Sequence, residues 1–373
     1  MQNMNLQNNT FKHLKMTLRD KKQKEFATSF INSGKFGILH LCPRFGKTRT
    51  AIHIFKAMKP KKILIAYPDL KIRASWEADL DTLKYKADNI TFTTHLSLKK
   101  HLDEQFDLIV IDEVHLLSEA QIEVCKELFE THDYVLGLSG TMSKYTERTL
   151  CDELSLCVLA TYTIEEAITD GVIVDYEINV IKVPLDVLKI NDYKGKKKTE
   201  KKAFDDYGWV IDSLERQNRN TMFLRLARMR IIQNSYAKLL KTKQILQMYK
   251  NERILVFCGT TKIADSLGIA SHHSKSTEKE TFTDFVSGEG NHMAVVKIGN
   301  TGVTYKPLNK VIINYFDSNA ENLAQKINRC MGMEYDTPDK KAHIYIISSN
   351  EEVELKWLKK ALEFFDHSKI KYL

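Results

Sequence analysis

Between Ile38 and Met58 the chain reads ILHLCPRFGKTRTAIHIFKAM, and this stretch permits few folds. An apolar run of Ile38, Leu39 and Leu41 enters a short loop that ends in Gly46-Lys47-Thr48. Ala51, Ile52, Ile54, Phe55 and Met58 then follow at helical spacing. Strand, loop and helix with Gly-Lys-Thr at the junction make a P-loop arrangement. Backbone N–H groups at the helix N-terminus favour a polyphosphate. Lys47 is expected to reach the β- and γ-phosphates of ATP, and the Thr48 hydroxyl to help hold Mg²⁺. The pattern is incomplete: Leu41 stands where the full motif has its first glycine, and Arg44-Phe45 fill the loop.

The rhythm downstream supports the same fold. Ile63-Leu64-Ile65-Ala66-Tyr67 is a continuous apolar run and Phe106–Asp112, FDLIVID, a second, as expected of strands buried on both faces of a parallel sheet. Leu70–Leu83 and Glu119–Thr131 have helical spacing, and Tyr134–Leu138 leads into Ser139-Gly140-Thr141. The strand signal fades from about residue 184 to 250, where a lysine-rich run, Lys194–Lys202, precedes long helical stretches such as Met222–Met248. The run is read as a solvated mobile loop, with a phosphate-contacting patch as the alternative. From Glu252 the α/β alternation returns, with Ala264–Ala270 expected as a helix. A chain of 373 residues accommodates two domains. We place them at 1–165 and 166–373, with a basic, helical insert at about 184–250.

Asp112-Glu113-Val114-His115 closes the second apolar run. In open parallel sheets ligands bind outside the carboxyl ends of the strands, where the P-loop also opens. Asp112 is therefore assigned to the P-loop Mg²⁺ and Glu113 to the attacking water. The net charge of +8 leans towards a polyanionic partner. Six cysteines without a CxxC pair read as buried thiols of a reducing compartment. With no apolar leader at the N-terminus and no run of about 18 apolar residues, no membrane association is expected and a cytoplasmic, intracellular protein is.

In order and spacing, GKT (Gly46–Thr48), DEVH (Asp112–His115) and SGT (Ser139–Thr141) resemble motifs I, II and III of superfamily 2, DExH-type helicases. ILIAYPDLKIRASW (Ile63–Trp76) resembles motif Ia, TFTTHLSL (Thr91–Leu98) Ib and ILVFCGTTKIADSL (Ile254–Leu267) motif IV. NTGVTYKPLNKVI (Asn300–Ile312) resembles motif V and QKINRCMGM (Gln325–Met333) motif VI. The style is similar to compact phage-type and repair-type DNA helicases, which fits a phage-encoded protein in a bacterial host. The resemblance implies two tandem RecA-like domains, each a mostly parallel sheet flanked by helices, with ATP bound in the cleft between them and a single strand crossing both.

Carried over to this chain, the resemblance gives Gly46, Lys47 and Thr48 the phosphate and metal contacts, and Ser139 and Thr141 the coupling of nucleotide state to the strand. Gln325 and Arg329 take the motif VI positions that act on the transferring phosphoryl group. Gln23 in LRDKKQ corresponds to an adenine-reading glutamine or is a solvated polar residue. Arg73, Thr94, His95, Thr260, Thr301 and Thr304 become candidate strand contacts. Trp76 stacks on a base or, the favoured reading, packs in the core. Motif VI departs from its usual QxxGRxxR form: Asn328 replaces the glycine and Gly332 the last arginine. Arg44 is a candidate to compensate in part. The expected activity is ATP-dependent translocation and unwinding, on DNA rather than RNA, with single-stranded or forked substrate and a protein partner for targeting. The alternatives are a nucleic-acid-binding ATP switch with little turnover and an RNA helicase.

Overall fold

The computed structural model describes residues 18–185, 188–276, 279–296, 305, 308–332 and 340–373. These form two compact units, the first running to Val174 with Gly332, the second from Asp175 to Met331 and again from residue 340. The first opens with helix α1, which extends through residue 32. Strand β1 (Phe36–Leu41) feeds α2 (Lys47–Met58), then β2 (Ile63–Tyr67), α3 (Ile72–Thr82), β3 (Ile90–Thr94) and β4 (Leu108–Asp112). It continues with α4 (Glu119–Glu130), β5 (Val135–Ser139), α5 (Lys144–Leu154), β6 (Val158–Tyr162) and α6 (Ile164–Thr169). The six strands are all parallel, in the order β3-β2-β4-β5-β1-β6. Strands β2, β4 and β5 are buried throughout, which is why they read as unbroken apolar runs. Among these strands β1, β4 and β5 lie side by side, so the loops at their carboxyl ends converge.

The second unit starts with β7 (Tyr176–Val183), a hairpin of β8 (Lys189–Asn191) and β9 (Lys197–Thr199), and helices α7 (Glu200–Glu215), α8 (Met222–Gln233) and α9 (Tyr236–Met248). Then come β10 (Ile254–Cys258), α10 (Thr261–Ser266), β11 (Ala270–His272), α11 (Lys279–Ser287), β12 (His292–Val296) and β13 (Lys310–Ile313). Helix α12 (Ala320–Ile327), β14 (Ala342–Ser349), α13 (Glu352–Leu362) and β15 (Ile370–Tyr372) complete it. Its seven-stranded sheet, β11-β12-β10-β13-β14-β7-β15, is also parallel. Both units thus have the parallel, helix-flanked RecA-like architecture. Among the described residues no helix is long and apolar enough to cross a membrane.

Four expectations need correction. The lysine-rich run is solvated, with Lys194, Lys196, Lys197 and Lys202 exposed, but it is not one loop: it forms the turn, β9 and the start of α7. Asp192 Oδ1 accepts from the backbone N–H of Lys194 and Lys196 at 2.8 and 2.9 Å, Gly195 supplies the left-handed φ of 75°, and Lys198 pairs with Asp192 and Asp206. The lysines are ordered by local acids that a charge count overlooks. Met222–Met248 is two helices, broken at Asn234-Ser235, and the segment expected as helix at Ala264–Ala270 ends at Ser266 and passes into β11. Cys42, Cys125, Cys258 and Cys330 are buried thiols, but Cys151 and Cys157 form a disulfide that ties the end of α5 to the approach to β6.

Glu200 at the start of α7 is 1% exposed, accepting from Tyr236 N–H at 3.1 Å, and burial pushes its carboxyl up to about 7 from 4.5. Below about pH 4.5 the group is protonated folded or unfolded. As pH rises towards 7 only the unfolded chain ionises, so stability is lost through that window. Glu200→Gln keeps the acceptor and removes the burial cost. Its Tm is expected to exceed wild type by about 2–5 °C at pH 8 and to converge with it near pH 5. A pH-independent difference in thermal melts would refute the assignment.

Candidate active site

Gly46 ends the loop after β1 in the left-handed conformation, φ 104°, and caps α2. A Cβ there would lie 2.4 Å from Gln23 Nε2, so any other residue is strained in φ and must displace the Gln23 amide. Gln23 is buried, against the solvated alternative, and donates from Nε2 to the Phe45 carbonyl at 2.8 Å. It braces the loop from α1. Arg44 also holds a left-handed φ, 70°, and Thr48 follows within the first turn of α2.

Lys47 Nζ meets Glu113 Oε1 at 2.8 Å, with both side chains largely out of solvent. Burial alone would lower the Lys47 pKa, but the adjacent Glu113 and Asp112 outweigh it and raise it. Burial likewise pushes Glu113 up, and Lys47 with His115 outweighs it and holds it down. Asp112 is raised, by burial first and by Glu113 second. A Cβ on Gly140 would come within 2.6 Å of Lys47 Nζ, so the glycine of Ser139-Gly140-Thr141 leaves the ammonium its place. The ends of β1, β4 and β5 therefore build one cationic-anionic cluster.

Asp112 is the most firmly held member. Trp76 Nε1 donates to its Oδ2 at 2.9 Å, and the Glu113 backbone N–H donates to Oδ1 at 3.0 Å. His95 Nε2 stands 2.9 Å from the Asp112 carbonyl oxygen. Trp76 is fully buried, as the packing reading expected, yet its polar contact with Asp112 was not legible beforehand. The available signal was a buried indole on the helix after β2, since a buried N–H seeks an acceptor and β2 pairs with β4. His95 is 3% exposed, and burial pushes its imidazole down to about 4. Neutral and turned towards Asp112, it is a brace for motif II, which corrects its reading as a strand contact.

Glu113 has the left-handed φ of 50° and leads into a short 3₁₀ turn, Val114–Leu116. His115 Nδ1 lies 2.9 Å from Ser139 Oγ and 3.5 Å from Glu113 Oε2. Because Ser139 Oγ donates to the Thr141 carbonyl, Nδ1 is the ring atom placed to donate. Burial pushes His115 down to about 4, so a neutral imidazole bonded to Ser139 stands beside Glu113. The Thr141 hydroxyl is buried.

The remaining candidates are placed as follows. Arg73 is exposed on α3 and pairs with Glu77 at 2.8 Å, while Thr94 ends β3 half-buried. In the second unit Thr260 caps α10 and donates to Asn234 Oδ1 at 2.7 Å. Gln325 lies on α12 and Arg329 in the 3₁₀ turn Asn328–Cys330 that follows, both half-buried. Thr301 and Thr304 lie outside the described residues. Among the described residues no three His, Cys, Asp or Glu side chains could chelate an ion by themselves. Thr48 and Asp112 offer hard oxygen donors of the kind Mg²⁺ takes when phosphates and water fill its other positions, so the residues fit that ion.

Residues 7–144 match the family model of the Type III restriction enzyme, res subunit, and residues 237–333 that of the helicase conserved C-terminal domain. The DNA 3'-5' translocase XPB2 of Sulfurisphaera tokodaii is 25% identical over 277 residues, covering 67% of this chain. The chain spans 62% of that relative's length. The DNA-bound ATP-dependent Type ISP restriction-modification enzyme LlaBIII shares the fold with a TM-score of 0.63 at 14% identity, over 95% of this chain and 31% of its own. The Hef helicase domain of Pyrococcus furiosus gives 0.50 at 13% identity, over 91% and 97%.

Proposed function

We propose that this chain, which belongs to the superfamily 2 helicases, hydrolyses ATP and uses the turnover to move along DNA and unwind or remodel it. The observation that carries the reading is the Lys47–Glu113 pair beside Asp112 at the converging ends of β1, β4 and β5. Lys47 leaves Glu113 for the β- and γ-phosphates when ATP binds, which frees the Glu113 carboxylate to orient and deprotonate the attacking water. Thr48 and Asp112 would hold Mg²⁺, which when bound neutralises charge on the phosphates. Gly46 and its neighbours supply backbone N–H groups to the phosphates, with Gln23 and Arg44 supporting the loop. Ser139 and Thr141 couple the site to the strand, the first through His115. Gln325 and Arg329 are the second unit's candidates for stabilising charge on the transferred group.

DNA is favoured because the similar translocase is named for DNA. Single-stranded or forked DNA is the proposed substrate, with Arg73, Thr94, Thr260, Thr301 and Thr304 as strand contacts, a protein partner for targeting, and action inside the cell. The Asn328 and Gly332 departures in motif VI favour, as the second reading, an ATP switch with little turnover.

Steady-state ATP hydrolysis with no nucleic acid, single-stranded DNA, single-stranded RNA and a forked duplex separates the readings. Stimulation of about tenfold or more by DNA is expected. Stimulation by RNA alone would reassign the substrate, and ATP-dependent binding without turnover would leave only the switch.

A further inference from the structure

The helical excursion of the second unit carries a feature the ATP site does not use. From Arg216 to Asn251 the sequence has five arginines, four lysines and no acidic residue. Some of these cations are consumed by the fold. Lys238 is fully buried against Glu354, Arg225 pairs with Glu215, and Arg228 lies over the Phe204 ring. Arg219 and Arg230 are exposed, and among the described residues their side chains make no ion pair.

Arg219 lies in the α7–α8 loop four residues before Phe223, and Arg230 two turns after it on α8, where Phe223 is 83% exposed. Phe223, Leu226 and Arg230 share one helix face, at spacings of three and four. Trp209, on the packed neighbour α7, is 73% exposed. The platform beneath is firm: Leu185, Ala203, Phe204, Ile231 and Ile232 form a buried cluster that fastens α7 to α8. Phe223, left in water between two arginines on a stretch that itself carries no acid, matches an unpaired nucleic-acid strand, which offers phosphates to the arginines and base faces to the ring. A duplex hides those faces in its stack. Trp209 offers a second ring on α7, a helix that also carries Asp205 and Asp212.

We propose that the α7–α8 hairpin is a contact site for unpaired nucleic acid, with Phe223 and Trp209 stacking on bases and Arg219 and Arg230 taking phosphates. The inference rests on the reading above that the chain works on nucleic acid.

The test is binding of a labelled 20-nucleotide single strand by the full chain, followed by anisotropy across a salt series. Phe223→Ala and Trp209→Ala are each expected to weaken binding about five- to fiftyfold, and Phe223→Trp to restore it. Arg219→Gln with Arg230→Gln should flatten the slope of log affinity against log salt by about 1.4, at about 0.7 per phosphate. The lysine pair in their place should keep the slope. Unchanged affinity and slope in all variants, with wild type binding normally, would overturn the contact and leave the nucleic-acid reading standing. Wild type that binds no nucleic acid at all would overturn both. Self-association lost in Phe223→Ala, with DNA binding intact, would overturn the contact in favour of a protein interface.

Discussion

Glu113→Gln is expected to cut ATP turnover by about 10²- to 10⁴-fold, the usual worth of a general base, while nucleotide binding survives. The electrostatics of the cluster make this the cleaner of the two obvious substitutions. Glu113 is one of two buried carboxylates facing a single ammonium, and its charge helps raise Asp112. The glutamine keeps an oxygen acceptor for Lys47 Nζ and removes that repulsion, leaving Asp112 as the partner of Lys47. The variant should therefore melt close to wild type. Lys47→Ala also stops hydrolysis, but it strands Glu113 and Asp112 together without a cation. Removing one partner of a buried pair costs about 3–5 kcal/mol, which lowers the Tm of the first unit by about 6 °C or more. Melting curves, fluorescent-nucleotide binding and steady-state turnover on both variants check the contrast. Wild-type turnover in Glu113→Gln would remove the base from the mechanism. A collapse in its Tm matching Lys47→Ala would make Glu113 a structural counter-ion.

The contrast also marks where sequence stops being informative. The strands β2, β4 and β5 were legible because burial on both faces leaves unbroken apolar runs, and β1 and Gly46 because an apolar segment leads into Gly-Lys-Thr. Their carboxyl ends could be inferred to converge from the alternation of strand and helix alone. The braces on Asp112 could not. Trp76 is 36 residues from Asp112 and His95 is 17, and they meet it because β2 lies beside β4 and β3 beside β2. A histidine in a threonine-rich segment reads locally as a polar contact, whereas its burial depends on the sheet that covers it. The lysine run failed for a related reason, since Asp192 and Asp206 hold Lys198 from outside the run. The Cys151–Cys157 bond depends on the turn between α5 and β6, which has no signature in cysteine spacing. The gathering of Lys47, Asp112 and Glu113 was thus legible, and the residues that hold Asp112 in place were not.

Trp76→Phe puts that second group to the test, with an expected loss of about ten- to hundredfold in Mg²⁺-dependent nucleotide affinity. The phenyl ring occupies the same apolar slot against Phe55, whose ring stacks on the indole at 6.3 Å, so most of the packing is kept. What disappears is the N–H that holds Asp112 Oδ2. A hydrogen bond to a charged group contributes about 1.5–3 kcal/mol, a factor of roughly ten to a hundred, and the phenyl ring offers the buried carboxylate nothing in its place. Asp112 then loses the contact that fixes its rotamer, and Oδ1 is no longer aimed from a rigid base. Trp76 acts through Asp112, so its role is positioning. Core truncation costs stability as well, which makes turnover alone a poor discriminator. Fluorescent-nucleotide binding measured across a Mg²⁺ titration and again in EDTA separates the two contributions. A positioning role predicts weaker binding in Mg²⁺, a higher Mg²⁺ midpoint and little change in EDTA. Leu80→Ala, a buried position on the same helix, should lower Tm and leave the Mg²⁺ midpoint where it was. If Trp76→Phe behaves like Leu80→Ala, the indole is core packing that happens to touch a carboxylate, and the rigidity of Asp112 must come from His95 and the Glu113 backbone alone.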